Sequence, residues 1–227
     1  MLISVIAPVY NEEKTIIEIL KKVIAVKLDK EILVVDDGST DKTPILLKKF
    51  VSEKNNIRIF THPRNFGKGA AIQTALSHVK GEIIIIQDTD LEYDPVDYSH
   101  LIQPFVNGSA KVVYGSRILG KSKSASWVFY IGGRSLTALT NLLYGSSLTD
   151  EPTGYKVFAR EVIKKIKLTH KGFSFCAEVT AKLLRQGYKI IEVPISYQPR
   201  PVNEKKISLP DWFFAVATLV WHRFAKV

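Results

Sequence analysis

Two rhythms of apolar residues alternate along this chain. Short β-branched runs are each followed by a stretch in which apolar positions return every three or four residues. Leu2 to Pro8, Glu31 to Val35, Ile57 to Thr61, Ile83 to Ile86 and Lys111 to Gly115 read as strands. A helix is predicted from Glu12 or Glu13, with Ile16, Ile17, Leu20, Val23 and Ile24 at helical spacing and Asn11 as its cap. Thr40 or Asp41 suits the cap of the next helix. A third helix is predicted from about Gly69 to Val79, and a short one around Val96 to Phe105. Ile83 to Ile86 leaves no side for water, so this strand belongs in the middle of a sheet. Strands alternating with helices predict an α/β domain with a mainly parallel central sheet and helices on both faces.

The second half is less regular. Trp127 to Tyr144 is apolar and aromatic but broken by Gly132, Gly133 and Arg134, which suits a helix packed on the domain or lying along a surface. Thr149 to Phe158 reads as a turn leading into a strand, Phe173 to Arg185 as a helix, and Ile190 to Val193 as a last strand. Glu178 stands among apolar neighbours in that helix and requires a partner or a task, because an unpaired buried charge is costly. The tail from Asp211 to Val227 is nearly continuous in apolar residues. Around 15 residues of helix reach ~22 Å, short of a ~30 Å hydrocarbon core. With Trp212 and Trp221 in it and Lys205, Lys206, Arg223 and Lys226 around it, it suits either a helix closing the core or one lying in a membrane interface. Residues 1–205 are therefore expected to form one domain, and residues 206–227 a C-terminal amphipathic helix that closes the core or lies in a membrane interface.

Composition narrows the class. A chain of 227 residues suits one well-buried domain, and its single cysteine, Cys176, rules out an internal disulfide and a cysteine-based zinc site. MLISVIAPVYNEE has no basic start and goes straight into a strand pattern, so it is not read as a secretory signal. The formal net charge of +10 calls for an anionic partner: nucleic acid, anionic lipid or a phosphorylated substrate. No aromatic-basic interleaving on strands resembles an RNA-recognition module, so no nucleic acid is expected.

Candidate chemistry lies where strands give way to loops. Ile83 to Ile86 runs into Gln87-Asp88-Thr89-Asp90, and two carboxylates at that edge suit a hard divalent cation such as Mg²⁺ or Mn²⁺. Asp36-Asp37-Gly38-Ser39-Thr40-Asp41 can place a carboxylate against a base or ribose, although a plain turn looks similar. Gly67-Lys68-Gly69 opens a helix with bare backbone N–H groups and a cation, which favours phosphate. It is not a Walker A loop, and no G-x-G-x-x-G follows the first strand.

Eight segments in order carry a resemblance: PVYNE from Pro8, DDGSTD from Asp36, NFGKGAA from Asn65, DTDLEYDP from Asp88, GSR from Gly115, TGYKVF from Thr153, FCAE from Phe175 and EVPISYQPR from Glu192. The chain resembles family 2 glycosyltransferases of the GT-A fold, and among them the polyprenyl-phosphate sugar synthases. The resemblance implies a nucleotide-sugar donor such as GDP-mannose or UDP-glucose, with Pro8, Tyr10, Glu12, Asp37 and adjacent Asp36 about the nucleoside, and Lys68, Thr89 and Lys206 also at the donor. It implies Mg²⁺ or Mn²⁺ on Asp88 and Asp90, with Glu92 as a further ligand where mannose synthases usually carry Gln. Arg117 and Arg134 fall where relatives hold the acceptor phosphate.

The resemblance implies an inverting, metal-dependent transfer of one hexose to a dolichyl or undecaprenyl phosphate at the membrane surface, with Asp88, Asp90 and Arg117 as the catalytic residues. A phosphate acceptor, mostly ionised at pH 7, needs no general base, whereas a sugar hydroxyl would require one, Glu178 or Asp150 being the candidates. A soluble transferase acting on a sugar or protein hydroxyl, and a non-catalytic membrane adaptor of the same fold, are the alternatives. The Q-x-x-R-W signature of processive synthases is missing, so polymer synthesis is not expected. Many relatives append transmembrane helices and this chain has none, so a cytoplasmic protein peripheral to the membrane, or one served by a separate membrane subunit, is expected.

Overall fold

A computed structural model of the chain describes residues 1–51, 56–122, 124, 126–201 and 209–225. Four strand–helix units open the fold: β1 (Ile3–Val9) and α1 (Ile16–Ala25), β2 (Lys30–Asp36) and α2 (Thr43–Val51), β3 (Ile57–Thr61) and α3 (Lys68–Leu76), β4 (Ile83–Ile86) and α4 (Tyr98–Val106). The remainder comprises β5 (Val112–Ser116), α5 (Trp127–Tyr144), β6 (Lys156–Ala159), α6 (Arg160–Ile163), α7 (Phe175–Arg185), β7 (Ile191–Pro194) and α8 (Leu209–Phe224). The seven strands form one sheet in the order β3-β2-β1-β4-β6-β5-β7. β6 is antiparallel to both its neighbours, and every other pairing is parallel.

β1 and β4 lie at the centre, and both are buried along their whole length. Successive side chains of a strand face opposite ways. Val5, Ala7 and Val9 of β1 pack with Ile16, Leu20, Leu47 and Tyr98 on one side. Ile6 packs with Ala71, Ile72, Phe175 and Val179 on the other. Two apolar layers result, with α1, α2 and α4 on one face of the sheet and α3, α6 and α7 on the other.

A third cluster stands outside these layers, where Leu136 of α5, Ala177 and Ala181 of α7 and Leu219 of α8 meet. The two alanines, one helical turn apart, let the neighbouring helices approach closely. Trp212 Nε1 donates to Gly132 O (3.2 Å), and Tyr144 Oη donates to Leu219 O (2.6 Å). The opposite side of α8 presents Phe213, Phe214, Trp221 and Phe224 to solvent. Among the described residues no helix is long and apolar enough to cross a membrane.

Glu178 has found partners rather than a chemical task. Its Oε1 accepts from Lys182 Nζ and Thr169 Oγ1 (2.6 Å each), and its Oε2 from the His170 amide (2.9 Å). Burial raises its carboxyl, but these donors outweigh that and hold it below its ordinary value. His170 and His222 flank the same carboxylate, with His222 Nε2 at 3.9 Å, and Lys182 already fills the place a cation would take. This group fastens α7 to its surroundings, and Glu178 does not line the central cavity.

Candidate active site

The order β2-β1-β4 sets three strand ends side by side at the carboxyl edge of the sheet, where open α/β folds bind ligands. Their loops are sewn together by side chains. Asn11, at φ +50°, accepts the Thr40 amide on Oδ1 (2.8 Å), Glu12 N donates to Thr43 Oγ1 (3.0 Å), and Thr89 Oγ1 donates to Pro8 O (3.1 Å). Asn11 therefore does not cap α1 as expected, because its amide ties the first loop to the second; Thr15 takes the N-cap position. Asp41 does cap α2, accepting Thr43 N at 2.9 Å.

Asp36 and Asp37 part company. Asp36 is buried, accepts the Ser39 amide (3.0 Å) and is absent from the cavity wall, where Pro8, Tyr10, Glu12 and Asp37 are found. Asp37 accepts the amides of Phe66 (3.0 Å) and Gly67 (2.7 Å) and pairs with His62 Nδ1 (2.6 Å). Its carboxylate thus holds the turn that delivers Lys68. Gly67, at φ +98°, has the Lys171 carbonyl oxygen only 2.5 Å from where a Cβ would stand, so no side chain fits.

Lys68 Nζ lies 2.5 Å from Asp88 Oδ1. Beside that pair, Asp90 Oδ1 accepts the Glu92 amide (3.1 Å), while Asp90 Oδ2 accepts from Arg200 Nη2 (2.9 Å). Arg200 Nη1 donates to Glu12 Oε1 (3.0 Å), and the Arg200 amide to Glu92 Oε1 (2.8 Å). One arginine from the far end of the chain thus joins three acids. Burial, reinforced by the charges of Asp88 and Glu92, pushes the Asp90 carboxyl up to about 7. A carboxylate so crowded by its own kind favours a hard cation. Gly154 keeps the space open, since a Cβ there would fall 2.3 Å from Asp88 Oδ2 and 2.8 Å from the Tyr93 ring. The carboxylate oxygens of Asp88 and Asp90 and the cleared backbone at Gly154 suit Mg²⁺ or Mn²⁺, whereas Glu92, whose Oε1 accepts the Arg200 amide, does not bring a third carboxylate oxygen together with theirs in this structure.

The cavity continues from these acids to Arg117 and Arg134, enclosing about 970 Å³. Arg117 grips Asp150 with Nε (2.8 Å) and Nη2 (2.7 Å) and lies over the Tyr197 ring at 5.2 Å. The pair is held from behind by Glu192, whose carboxylate accepts the amides of Thr149 (2.7 Å) and Asp150 (2.9 Å). Burial raises Asp150, and the Arg117 charge and hydrogen bonds overcome it, leaving the carboxyl below its usual range. Arg134 Nη1 donates to Thr149 O (2.9 Å). Beyond the arginines the wall turns apolar, with Val128, Phe129 and Ile131 of α5 and Trp212 and Phe213 of α8. Lys206, expected at the donor, and Lys205 beside it lie outside the described residues.

Among the described residues, the expected donor, metal and acceptor residues therefore share one cavity, except Asp36 at the end of β2. Arg200 and Glu192 carry no role in the sequence reading beyond their place in EVPISYQPR, which gives no hint of acids more than a hundred residues away.

The Glycosyl transferase family 2 profile matches residues 4–167. A low-salt glycan biosynthesis hexosyltransferase of Haloferax volcanii is 30% identical over 215 residues, covering 92% of this chain and 51% of that protein. The chain thus spans about half of that relative's length. A dolichyl-phosphate beta-glucosyltransferase of Trichomonas vaginalis is 29% identical, with 91% of this chain and 68% of that protein covered. Among solved structures, glucosyl-3-phosphoglycerate synthase from Mycobacterium tuberculosis, in complex with Mn²⁺, uridine diphosphate and phosphoglyceric acid, aligns with a TM-score of 0.75 at 22% identity, over 99% of this chain and 79% of that one. With a mainly parallel sheet of the GT-A type and the family profile over most of its length, the chain belongs to family 2 of the glycosyltransferases.

Proposed function

We propose that the protein transfers one hexose from a nucleotide sugar to a polyprenyl phosphate, with inversion, at the cytoplasmic surface of a membrane. The observation that carries the reading is the gradient along one cavity, from acids through two arginines to an apolar wall that continues into exposed aromatic residues of α5 and α8. A donor diphosphate suits the first zone, a lipid phosphate the second and an isoprenoid chain the third. Pro8, Tyr10, Glu12 and Asp37 flank the nucleoside, and Asp88 and Asp90 hold the divalent cation. When bound, Mg²⁺ or Mn²⁺ offsets the charge that grows on the departing nucleoside diphosphate. Lys68, paired with Asp88, adds a fixed positive charge beside it.

The acceptor side supports a phosphate over a hydroxyl. Asp150, held ionised by Arg117, is a poor proton acceptor, and Glu178 is off the cavity. A phosphate monoester is mostly anionic at pH 7 and attacks without a base. Arg117 uses two of its five N–H groups on Asp150, so it is oriented for the acceptor without being consumed by that pair. The dolichyl-phosphate activity in the Trichomonas relative's name supports the same class of acceptor.

The test is incubation with extracted polyprenyl phosphate and labelled GDP-mannose or UDP-glucose, with Mn²⁺ present. Label is expected in the organic phase with one donor and to vanish with EDTA. Label found only in water-soluble products, phosphoglycerate adducts included, would overturn the lipid acceptor.

A further inference from the structure

Arg200 contacts Glu12, Asp90 and Glu92, yet it lies in the extension after β7, 110 positions from Asp90 and 188 from Glu12. We propose that Arg200, beside Lys68 on Asp88, is an internal counter-cation of this cradle: its guanidinium holds Glu12 and Asp90 in the donor-free enzyme, and a divalent cation and Arg200 compete for that carboxylate of Asp90. This rests on the reading of Asp88 and Asp90 as metal ligands.

Three observations converge on it. Both oxygens of Asp90 are engaged, Oδ1 by the Glu92 amide and Oδ2 by Arg200 Nη2. A divalent cation on Oδ2 would stand in contact range of the guanidinium, and the repulsion of two positive charges on one carboxylate oxygen sets Arg200 and the cation in competition for Asp90. The arginine is also incompletely satisfied, because its Nε is buried without a hydrogen-bond partner. Arg117 makes the contrast, with Nε and Nη2 both spent on one carboxylate in a fork suited to permanence. A buried N–H left unpaired is costly, which lowers the barrier to leaving this arrangement. Finally, the side chain is 17% exposed, and the main chain of its segment is fastened to Glu92 by the Arg200 and Gln198 amides, so the guanidinium can swing away from Asp90 while the backbone stays in place.

The arrangement has two effects. Without metal, Arg200 ties the β1–α1 loop to the loop after β4 and keeps like charges from driving them apart. It also weakens metal binding by the fraction of time it holds Asp90: an arginine in place nine times in ten raises the apparent Kd about tenfold.

Mn²⁺ titration followed by the electron paramagnetic resonance of the free ion, with no nucleotide and no acceptor, reads this directly. Arg200→Gln is expected to bind Mn²⁺ roughly five- to tenfold more tightly than wild type. Arg200→Lys, which keeps the charge, is expected to stay close to wild type. Equal or weaker Mn²⁺ binding by a folded Arg200→Gln protein overturns the proposal and leaves the metal assignment standing. No Mn²⁺ binding by the wild type overturns both. Should the Gln variant fail to fold, a wild-type crystal soaked in Mn²⁺ decides: Arg200 withdrawn from Asp90 supports the competition, and the metal bound with that pair intact overturns it.

Discussion

Gly154 shows how narrow the tolerances of this site are at the scale of one residue. A methyl group there would meet Asp88 Oδ2 at 2.3 Å and the Tyr93 ring at 2.8 Å, and the Gly154 amide donates to Tyr93 Oη at 2.8 Å. Tyr93 in turn packs on Tyr155 and Tyr197, so it has little room to give. Gly154→Ala is expected to cost about 1–3 kcal/mol in a denaturant melt by overpacking. It is also expected to lower kcat/KM by about a hundredfold through a displaced Asp88. An Ala variant with full activity would show that Asp88 need not stand where it does. Asp88, Asp90 and Arg117 were legible in the sequence because each follows a strand within a short motif. Asp36 was misleading for the same reason: adjacent acids look alike in a motif, and only the fold turns one into the loop and the other onto the cavity wall.

At the scale of elements, α8 is divided along its length. One side buries Leu219 against Ala177 and Ala181 of α7, and Arg223 Nε and Arg185 Nη1 bind main-chain carbonyls that lock the helix down. The other side carries Phe213 at 58% and Trp221 at 68% exposure, and the first turns of α5 add Trp127 at 72%. Exposed apolar residues gathered on one side mark an interaction surface. If that surface rests on lipid, Phe213→Glu with Trp221→Glu should lower sedimentation with anionic vesicles at least about tenfold, since each buried aromatic contributes about 1.5–3 kcal/mol. The melting temperature should move little, because both side chains are mostly exposed. Unchanged vesicle binding would assign the surface to another partner. The tail read equally well as core or interface from sequence, since its apolar residues run almost all round; packing on α5 and α7 decides which side is buried.

For the molecule as a whole, the acidic cradle sets a pH dependence of stability. The Asp90 carboxyl, ordinarily near 3.8, is raised to about 7 by burial and by its acidic neighbours. Between those values the folded protein holds a proton that the unfolded chain has released, so stability falls as pH rises from about 4 to about 7. Metal-free wild type should therefore melt lower at pH 8 than at pH 5 by this contribution. Asp90→Asn should remove the dependence, gaining on the order of 2 kcal/mol over wild type at pH 8 while abolishing transfer. Excess Mg²⁺ should stabilise the wild type at pH 8 and leave the variant unmoved. An Asn variant that is less stable than wild type at pH 8 would show that the Arg200 pair outweighs the repulsion.

The sequence alone determined the buried central strand Ile83–Ile86, the parallel strand–helix units and the acids at strand ends, because side-chain periodicity and turn chemistry act over a few neighbouring residues. Only the tertiary structure decided that β6 enters antiparallel between β4 and β5, that Asp37 spends its carboxylate on the turn before Lys68, and that Arg200 meets Glu12 and Asp90. Those pairings join residues up to 188 positions apart, and what selects them is the packing of two faces of a sheet and the need of each buried charge for a partner, neither of which any local stretch of sequence encodes.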